Sequence, residues 1–459
     1  MPPFLNPDGG DETTLLHPPA TCGWNAQSFT LPTAASVGAS GTPFGTLQGS
    51  VACTSAQNGT FGYQVGQFDG LGGADLIVTT ACNDATIGSQ AFDVYPNDGT
   101  GFGAAVRYQI PLSTEPSGCV QASLVDVTGD YALDYVVTSL CTDSSVGTTQ
   151  WLVFENSNGA FAANPTSYAL PANAALHAFA SIEAPTANCS SSQPAYGLFD
   201  VTGDGIADIV ETVACDDANV GVTDWRVYPG SATGFGAAVA FTLPGAAVFP
   251  SPTAATLSCT PSDQPAYTVL DFDGDLKPDL VVTKSCTDVN VGTSYWDVYK
   301  NTGSGFSSAP IQPTLPVLAS DPANPFASIS GSVSCGASGS LTYTLVDVDG
   351  DRKPDLVATS ACANATLGAS EWYVYPNTGA TFGEALAYAI PSAFDPTTAN
   401  PVSSLSQSLS CSGHASPAFT AAYLLDTRLD LIETAACNDA ATGFTQWLVY
   451  TPTCPSSDD

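Results

Sequence analysis

The chain has 459 residues, with 43 acidic residues against 8 Lys plus Arg and a formal charge of −35 at pH 7. So few basic residues cannot neutralise phosphates, which excludes nucleic-acid binding by charge; 44% hydrophobic and 10% aromatic residues exclude global disorder. No apolar run reaches the ~18 residues of a transmembrane helix, so membrane insertion is excluded as well.

Gly (42) and Pro (34) are plentiful and long amphipathic helical patterns are missing, which points to many short strands joined by turns. In chain order, residues 1–21 are a Pro-rich tail carrying Leu15 and Leu16. Met1-Pro2-Pro3-Phe4 lacks the basic and apolar regions of a signal peptide, so the chain reads as a mature or trimmed form. Cys22-Gly23-Trp24 and Gln27-Ser28-Phe29-Thr30-Leu31-Pro32 follow. Length alone suggests about three domains, but self-similarity at intervals of ~60–76 residues overrides that figure.

Six units are legible, at approximately 53–115, 119–172, 189–245, 259–316, 335–392 and 411–454, with 455–459 as a C-terminal tail. Each contains a Cys, an apolar strand, an acidic loop or its remnant, a second strand, a second Cys, a polar loop and a Gly. A third strand follows, with Trp151, Trp225, Trp296, Trp372 and Trp447 at one equivalent position and Phe92 there in the first unit. Next come a turn, a Phe (Phe102, Phe161, Phe235, Phe306, Phe382) and a fourth strand, as in Val106–Pro111 and Val239–Pro244. Four antiparallel strands repeated six times describe a six-bladed β-propeller, an all-β fold. The Trp residues are expected to pack between blades rather than to form a stacking platform for ligand. The sixth unit stops after Tyr450 without a fourth strand, and residues 22–32 match the closing strand of the third unit. The N-terminal strand is therefore expected to complete the last blade and remove exposed edges, or to dock into a neighbouring molecule.

The 14 cysteines include no C-x-x-C pair and only three histidines accompany them (His17, His177, His414), which argues against zinc and for disulfides in an oxidising compartment. The cysteines flanking each hairpin would pair: Cys53–Cys82, Cys119–Cys141, Cys189–Cys215, Cys259–Cys286, Cys335–Cys362 and Cys411–Cys437. Cys22 and Cys454 are left over, and a bond between them would lock the ring.

Four hairpin loops, Asp126–Asp134, Asp200–Asp208, Asp271–Asp279 and Asp347–Asp355, place aspartates at positions 1, 5 and 9, and the last two loops add one at position 3. Such crowding calls for a cation. A hard ion taking six to eight oxygens at ~2.3–2.6 Å suits the ligand set, and Gly at position 4 permits the turn. The alternative is a set of Asp/Gly-rich turns without metal.

Asp271-Phe272-Asp273-Gly274-Asp275-Leu276-Lys277-Pro278-Asp279, with Asn301-Thr302-Gly303-Ser304-Gly305-Phe306 after it, resembles the FG-GAP/VCBS repeat. That family includes the integrin α-subunit propeller, bacterial secreted propellers and a fungal lectin. The resemblance covers residues ~50–450 and implies calcium in the hairpin between a blade's first two strands, but no single activity. Carried over, the calcium ligands are Asp271, Asp273, Asp275, Asp279 and the Lys277 carbonyl, and Asp347, Asp349, Asp351, Asp355 and the Lys353 carbonyl. Two weaker sites use Thr at position 3: Asp126, Thr128, Asp130, Ala132 and Asp134, and Asp200, Thr202, Asp204, Ile206 and Asp208. The first unit has Gln67, Asp69, Leu71 and Asp75, and the last is reduced to Asp426-Thr427-Arg428-Leu429-Asp430, where Arg428 would neutralise the aspartates. Neither is expected to bind calcium, so about four Ca²⁺ sites are expected.

The polar loops after each second Cys (Asn83-Asp84, Thr142-Asp143, Asp216-Asp217, Thr287-Asp288, Ala363-Asn364, Asn438-Asp439) suit sugar hydroxyls, or else cap their own turns. No catalytic constellation is visible: the four arginines fall at unrelated positions, and Glu211 and Glu433 are separated by two intervening units. The reading is a secreted or cell-surface calcium-binding propeller, a non-catalytic adhesion or assembly module that associates with itself or with extracellular proteins. A lectin with inter-blade glycan sites is the alternative, and a polysaccharide-processing enzyme ranks third.

Overall fold

The computed structural model describes residues 21–454 apart from 33–42, 54–58, 117, 158, 172–178, 191, 246, 261–262, 318–325, 336–339, 363, 365, 392–401, 403 and 412–416. The two tails, Leu15, Leu16 and all three histidines lie outside the described residues. Within them every regular element is a β-strand, and the strands form a propeller-like arrangement of antiparallel sheets. No helix among the described residues is long and apolar enough to cross a membrane.

The second strand of each unit is the most buried, as its composition requires. Asp75–Thr80, Asp208–Val213, Asp279–Lys284, Asp355–Ser360 and Asp430–Ala435 are near-continuous apolar runs covered on both faces. Third strands such as Gln150–Phe154 and Asp224–Tyr228 alternate buried and half-buried residues. All six units show the same irregularity where the first strand meets the second, with a register shift at Gly62/Tyr63, Gln121/Ala122, Ala195/Tyr196, Ala266/Tyr267, Thr342/Tyr343 and Ala418/Phe419. In four of them the Tyr hydroxyl donates to a carbonyl of the preceding connection (Thr46, Ser181, Ser251, Ser328) and ties the unit to its lead-in.

Six repeats lead one to expect six separate sheets. The strands form one five-stranded and three four-stranded sheets for units one to four, a ten-stranded sheet holding units five and six, and a small ladder of Asn156–Ser157 with Ala160–Phe161. The merger comes from the strand Thr21–Thr30. It pairs antiparallel with Gln446–Thr453 from Gly23↔Thr453 to Thr30↔Gln446, and in parallel with Leu386–Ala389 at Thr21↔Ala387 and Cys22↔Tyr388. Short strands Gln48–Ala52, Thr253–Ala254, Ser330–Ser334 and Ser406–Gln407, beyond the expected four, precede units one, four, five and six. The fourth strand of unit four shrinks to the bridges Tyr295↔Thr314 and Val298↔Ile311, because Pro310, Pro313 and Pro316 remove ladder donors.

The core lies between units. Trp151, Trp225, Trp296, Trp372 and Trp447 are at most 1% exposed, and each indole N–H donates to a carbonyl in the connection that follows (Phe179, Phe249, Phe326, Val402) or, for Trp447, to Phe44. Four of them meet edge-on the Phe of another unit: Trp151 on Phe235, Trp225 on Phe306, Trp296 on Phe382 and Trp447 on Phe102. Trp372 meets Trp24 instead. Phe92 is only half-buried. Trp447, Phe29 and Phe102 share one cluster, so the last unit, the N-terminal strand and the first unit pack together.

All seven cystine pairs are formed: Cys22–Cys454, Cys53–Cys82, Cys119–Cys141, Cys189–Cys215, Cys259–Cys286, Cys335–Cys362 and Cys411–Cys437. No cysteine is free, which points to an oxidising, extracellular environment.

Candidate metal centre

Each nine-residue loop is folded by its own carboxylates. The position-1 aspartate accepts at Oδ1 from the position-4 glycine N–H: Asp126 from Gly129 (2.7 Å), Asp200 from Gly203 (2.6 Å), Asp271 from Gly274 (2.8 Å) and Asp347 from Gly350 (2.7 Å). Its Oδ2 accepts from the position-6 N–H of Tyr131, Gly205, Leu276 and Arg352. The position-5 aspartate accepts from the position-7 N–H, pairing Asp130 with Ala132, Asp204 with Ile206, Asp275 with Lys277 and Asp351 with Lys353. Thr128 and Thr202 at position 3 turn their hydroxyls toward Asp126 and Asp200. Tyr131, Leu276 and Arg352 take φ of 68°, 68° and 71°, a left-handed conformation that costs ~1–2 kcal/mol per residue. The same turn thus recurs on three unrelated side chains.

Position 9 does something different. Asp134, Asp208, Asp279 and Asp355 are at most 2% exposed, and so are Asp75 and Asp430 in the two divergent units. Asp355 Oδ2 accepts from Val348 N at 3.0 Å and its Oδ1 from Asn377 N at 2.9 Å, and the pattern repeats at Asp75, Asp134, Asp208 and Asp279. This carboxylate staples the loop to the end of the third strand whether or not the loop is acidic. Burial pushes Asp279 and Asp355 up to about 7 and Asp75, Asp134 and Asp430 up to about 6, against the pull of those N–H donors.

Carboxylate oxygens of Asp271, Asp273 and Asp275, and of Asp347, Asp349 and Asp355, lie within 4.8 Å of one another. Three anionic oxygens so close, with neighbouring carbonyls available, fit a hard cation. Burial raises the first-position carboxyls Asp271 and Asp347 above the ordinary range, as expected of anions gathered without a full complement of positive charge. Ammonium groups supply part of it: Lys300 Nζ lies 2.6 Å from Asp273, Lys353 Nζ 2.6 Å from Asp351 and Lys277 Nζ 3.6 Å from Asp275.

The loops also touch one another. A Cβ on Gly203 would stand 2.3 Å from the Lys277 stem, and one on Gly350 would stand 2.6 Å from that of Arg428. Each of these glycines is needed both for φ > 0 and for the next unit's side chain. Asn156, Asn301 and Asn377 donate to the position-2 carbonyls of the preceding units (Phe68, Val201, Phe272), and Asn97 of unit one donates to Leu424 of unit six.

No protein-family model matches the chain, and no curated protein matches it. Among solved structures, a chain of the Photorhabdus luminescens Tc holotoxin pore aligns with 94% of this chain at 17% identity and a TM-score of 0.49; this chain spans 14% of that one. A lectin of Agrocybe aegerita that recognises non-reducing terminal N-acetylglucosamine aligns with 94% of this chain and 98% of its own, at 13% identity and a TM-score of 0.38. An exo-β-1,3-galactanase of Phanerochaete chrysosporium aligns with 73% of this chain and 65% of its own, at 9% identity and a TM-score of 0.25. None of the three says what this chain binds or does.

The divergent loops differ from their sequence reading. In unit six the hairpin closes with Ala422↔Asp430, one residue shorter than Val346↔Asp355 in unit five. Tyr423, not Asp426, therefore stands at position 1, and its hydroxyl accepts from Asp347 N at 3.1 Å. Arg428 closes on Asp426 at 2.7 Å. Asp430 Oδ1 is buried without a partner, because the residue equivalent to Asn377 is Pro452, which has no N–H. In unit one the Gln67 amide donates to Gly72 O (3.2 Å) across the space an ion would take. Tyr423 was not legible as a loop residue without the strand register.

At the opposite end of the hairpins the polar loops cap themselves. Asp84, Asp143, Asp217, Asp288, Asn364 and Asp439 each accept from the N–H two residues on. Hydrogen bonds from Thr86 and Ser145 hold Asp84 and Asp143 below the usual carboxylate range. Glu211 binds Arg226 (2.9 Å) inside unit three, and Glu433 accepts from Tyr450 (2.9 Å) inside unit six.

Proposed function

We propose that the protein is a six-bladed calcium-binding propeller of the FG-GAP/VCBS type, secreted or held at a cell surface, that serves as a non-catalytic adhesion or assembly module. The observation that carries this reading is the recurrence of one carboxylate-folded loop in four consecutive units, two of which gather three carboxylates within 4.8 Å. Asp271, Asp273, Asp275 and Asp279 with the Lys277 carbonyl would hold one Ca²⁺, and Asp347, Asp349, Asp351 and Asp355 with that of Lys353 another. The Thr128 and Thr202 loops, each one carboxylate poorer, form a weaker pair. The ion would supply charge compensation that clamps the hairpin.

The six-bladed ring is supported by units five and six each having a full set of antiparallel strands within the ten-stranded sheet. Contacts between the last and first units, Asn97 to Leu424 and Trp447 to Phe102, support its closure. The engaged Glu211 and Glu433 favour binding over catalysis.

Calorimetric titration of chelator-stripped protein should give about four sites in two affinity classes; six equal sites, or none, would refute the reading. A non-reducing gel should show a monomer whose Cys22–Cys454 bond is intramolecular, and a covalent ladder would instead mean strand donation between molecules. Self-association with a silent glycan array supports assembly, whereas reproducible binding to one sugar class supports the lectin.

A further inference from the structure

A cavity of about 800 Å³ opens where the acidic loops stop, lined by units five, six and one. Its floor is aliphatic, formed by Leu47, Val65, Ala422, Leu424 and Ile432. Its volume falls within the ~300–1,000 Å³ of small-molecule sites. The two residues that replace a first-position aspartate, Gln67 and Tyr423, stand on its rim together with Arg352, Asp347 and Asp426. Both loop substitutions thus contribute to its lining. Two other clefts, of about 560 and 420 Å³, are lined without any charged side chain.

The rim charges are unequal. Both oxygens of Asp347 are turned into their own loop, accepting from Gly350 and Arg352 N–H groups. Asp426 is held by Arg428. Of the 8 Lys and Arg residues, Arg107, Arg226, Lys277, Lys300, Lys353 and Arg428 are paired with carboxylates. Among the described residues the Arg352 guanidinium and Lys284 have no such partner, in a chain where acids outnumber bases fivefold. Arg352 is the unengaged charge at the mouth of an apolar cavity. Gln67 Oε1, from another lining residue of the cavity, is buried and without a partner among the described residues.

The geometry points to a ligand site here for a small apolar molecule bearing one carboxylate, with the hydrocarbon on the aliphatic floor and the carboxylate on the Arg352 guanidinium. A guanidinium presents a donor fork that matches a carboxylate in two parallel hydrogen bonds. The equivalent loop positions in the other acidic units are Tyr131, Gly205 and Leu276, so among the four acidic loops that of unit five alone offers this fork.

The test uses the full chain at saturating calcium, titrated calorimetrically with octanoate, octylammonium and octanol. The summed charge of −35 favours the cation at long range, so preference for the anion is diagnostic. Octanoate should bind one site per chain and more tightly than octylammonium. Arg352→Gln should weaken octanoate by about ten-fold and leave octanol unchanged, and Arg352→Lys should recover part of the loss. Calcium stoichiometry of each variant, read by the same method, separates damage to the loop from loss of the head-group contact. Equal or tighter binding of octylammonium, or an octanoate isotherm unmoved by Arg352→Gln, overturns the assignment.

Discussion

Units five and six share a sheet, yet their hairpin loops solve the same problem differently. In unit five, Asp347 folds the loop, Asp355 staples it to Asn377, and a ring of carboxylates remains for a cation. In unit six the loop is one residue shorter, Arg428 takes the place of external charge, and Asp430 lacks its second donor at Pro452. The buried aspartate at position 9 is therefore common to both units, whereas the carboxylates at positions 1, 3 and 5 are an addition found in the acidic loops. Where the addition is missing, the disulfide Cys22–Cys454 and eight strand pairs hold the unit.

That contrast is open to test. The largest effect is expected from Cys22→Ser with Cys454→Ser. The bond spans 432 residues, and after allowing for the other crosslinks its loss should cost roughly 5 kcal/mol in the chain-entropy model, against roughly 3 for Cys119–Cys141. Denaturant midpoints of the two double variants measure the difference, and equal costs would mean that the seam is no weaker than the rest. Asn377→Pro should reproduce the unit-six defect in unit five and cost about 3 kcal/mol, since it orphans a buried carboxylate oxygen and deletes the contact with Phe272. Thr202→Asp should tighten the calcium site proposed for the third unit by about ten-fold and Asp273→Asn should loosen that proposed for the fourth by a similar factor, read by calorimetry. Pro452→Ala, which returns an N–H to Asp430, should add about 1 kcal/mol, and a loss would show that proline rigidity matters more there. The broadest effect is on pH. In chelated protein the folded state retains protons on Asp75, Asp134, Asp430, Asp279 and Asp355, pushed up to about 6–7, that the unfolded chain releases near pH 4. Their contribution is fully present below about pH 4 and lost as pH rises through about 6–7. The melting temperature should accordingly fall between pH 5 and 8, and calcium should remove or invert that slope.

Much of this was legible in the sequence because the repeat prints each element six times. The cysteine pairing, the buried Trp position and the strand order follow from positions that recur with fixed neighbours. What escaped were features fixed by register. Asp426 looks like the start of the sixth loop, but the pairing Ala422↔Asp430 gives that place to Tyr423. The role of the ninth aspartate was also hidden, because Asp279 reads as a metal ligand, whereas Asp75, in a loop with few acidic residues, makes the same backbone bonds and Asp430 keeps those to its Oδ2. The cavity beside Arg352 depends on three units meeting, which no single repeat reveals.

The strand Thr21–Thr30 pairs with Gln446–Thr453, so it cannot dock until the far end of the repeat array has been made. Its contacts have a very high sequence separation, which slows the final docking step. Until residue 453 is available its edge is exposed, and any other incomplete copy presents the same vacancy. Folding rate and local concentration would then decide between a closed ring and a shared strand, and the Cys22–Cys454 bond makes whichever partner arrives first permanent.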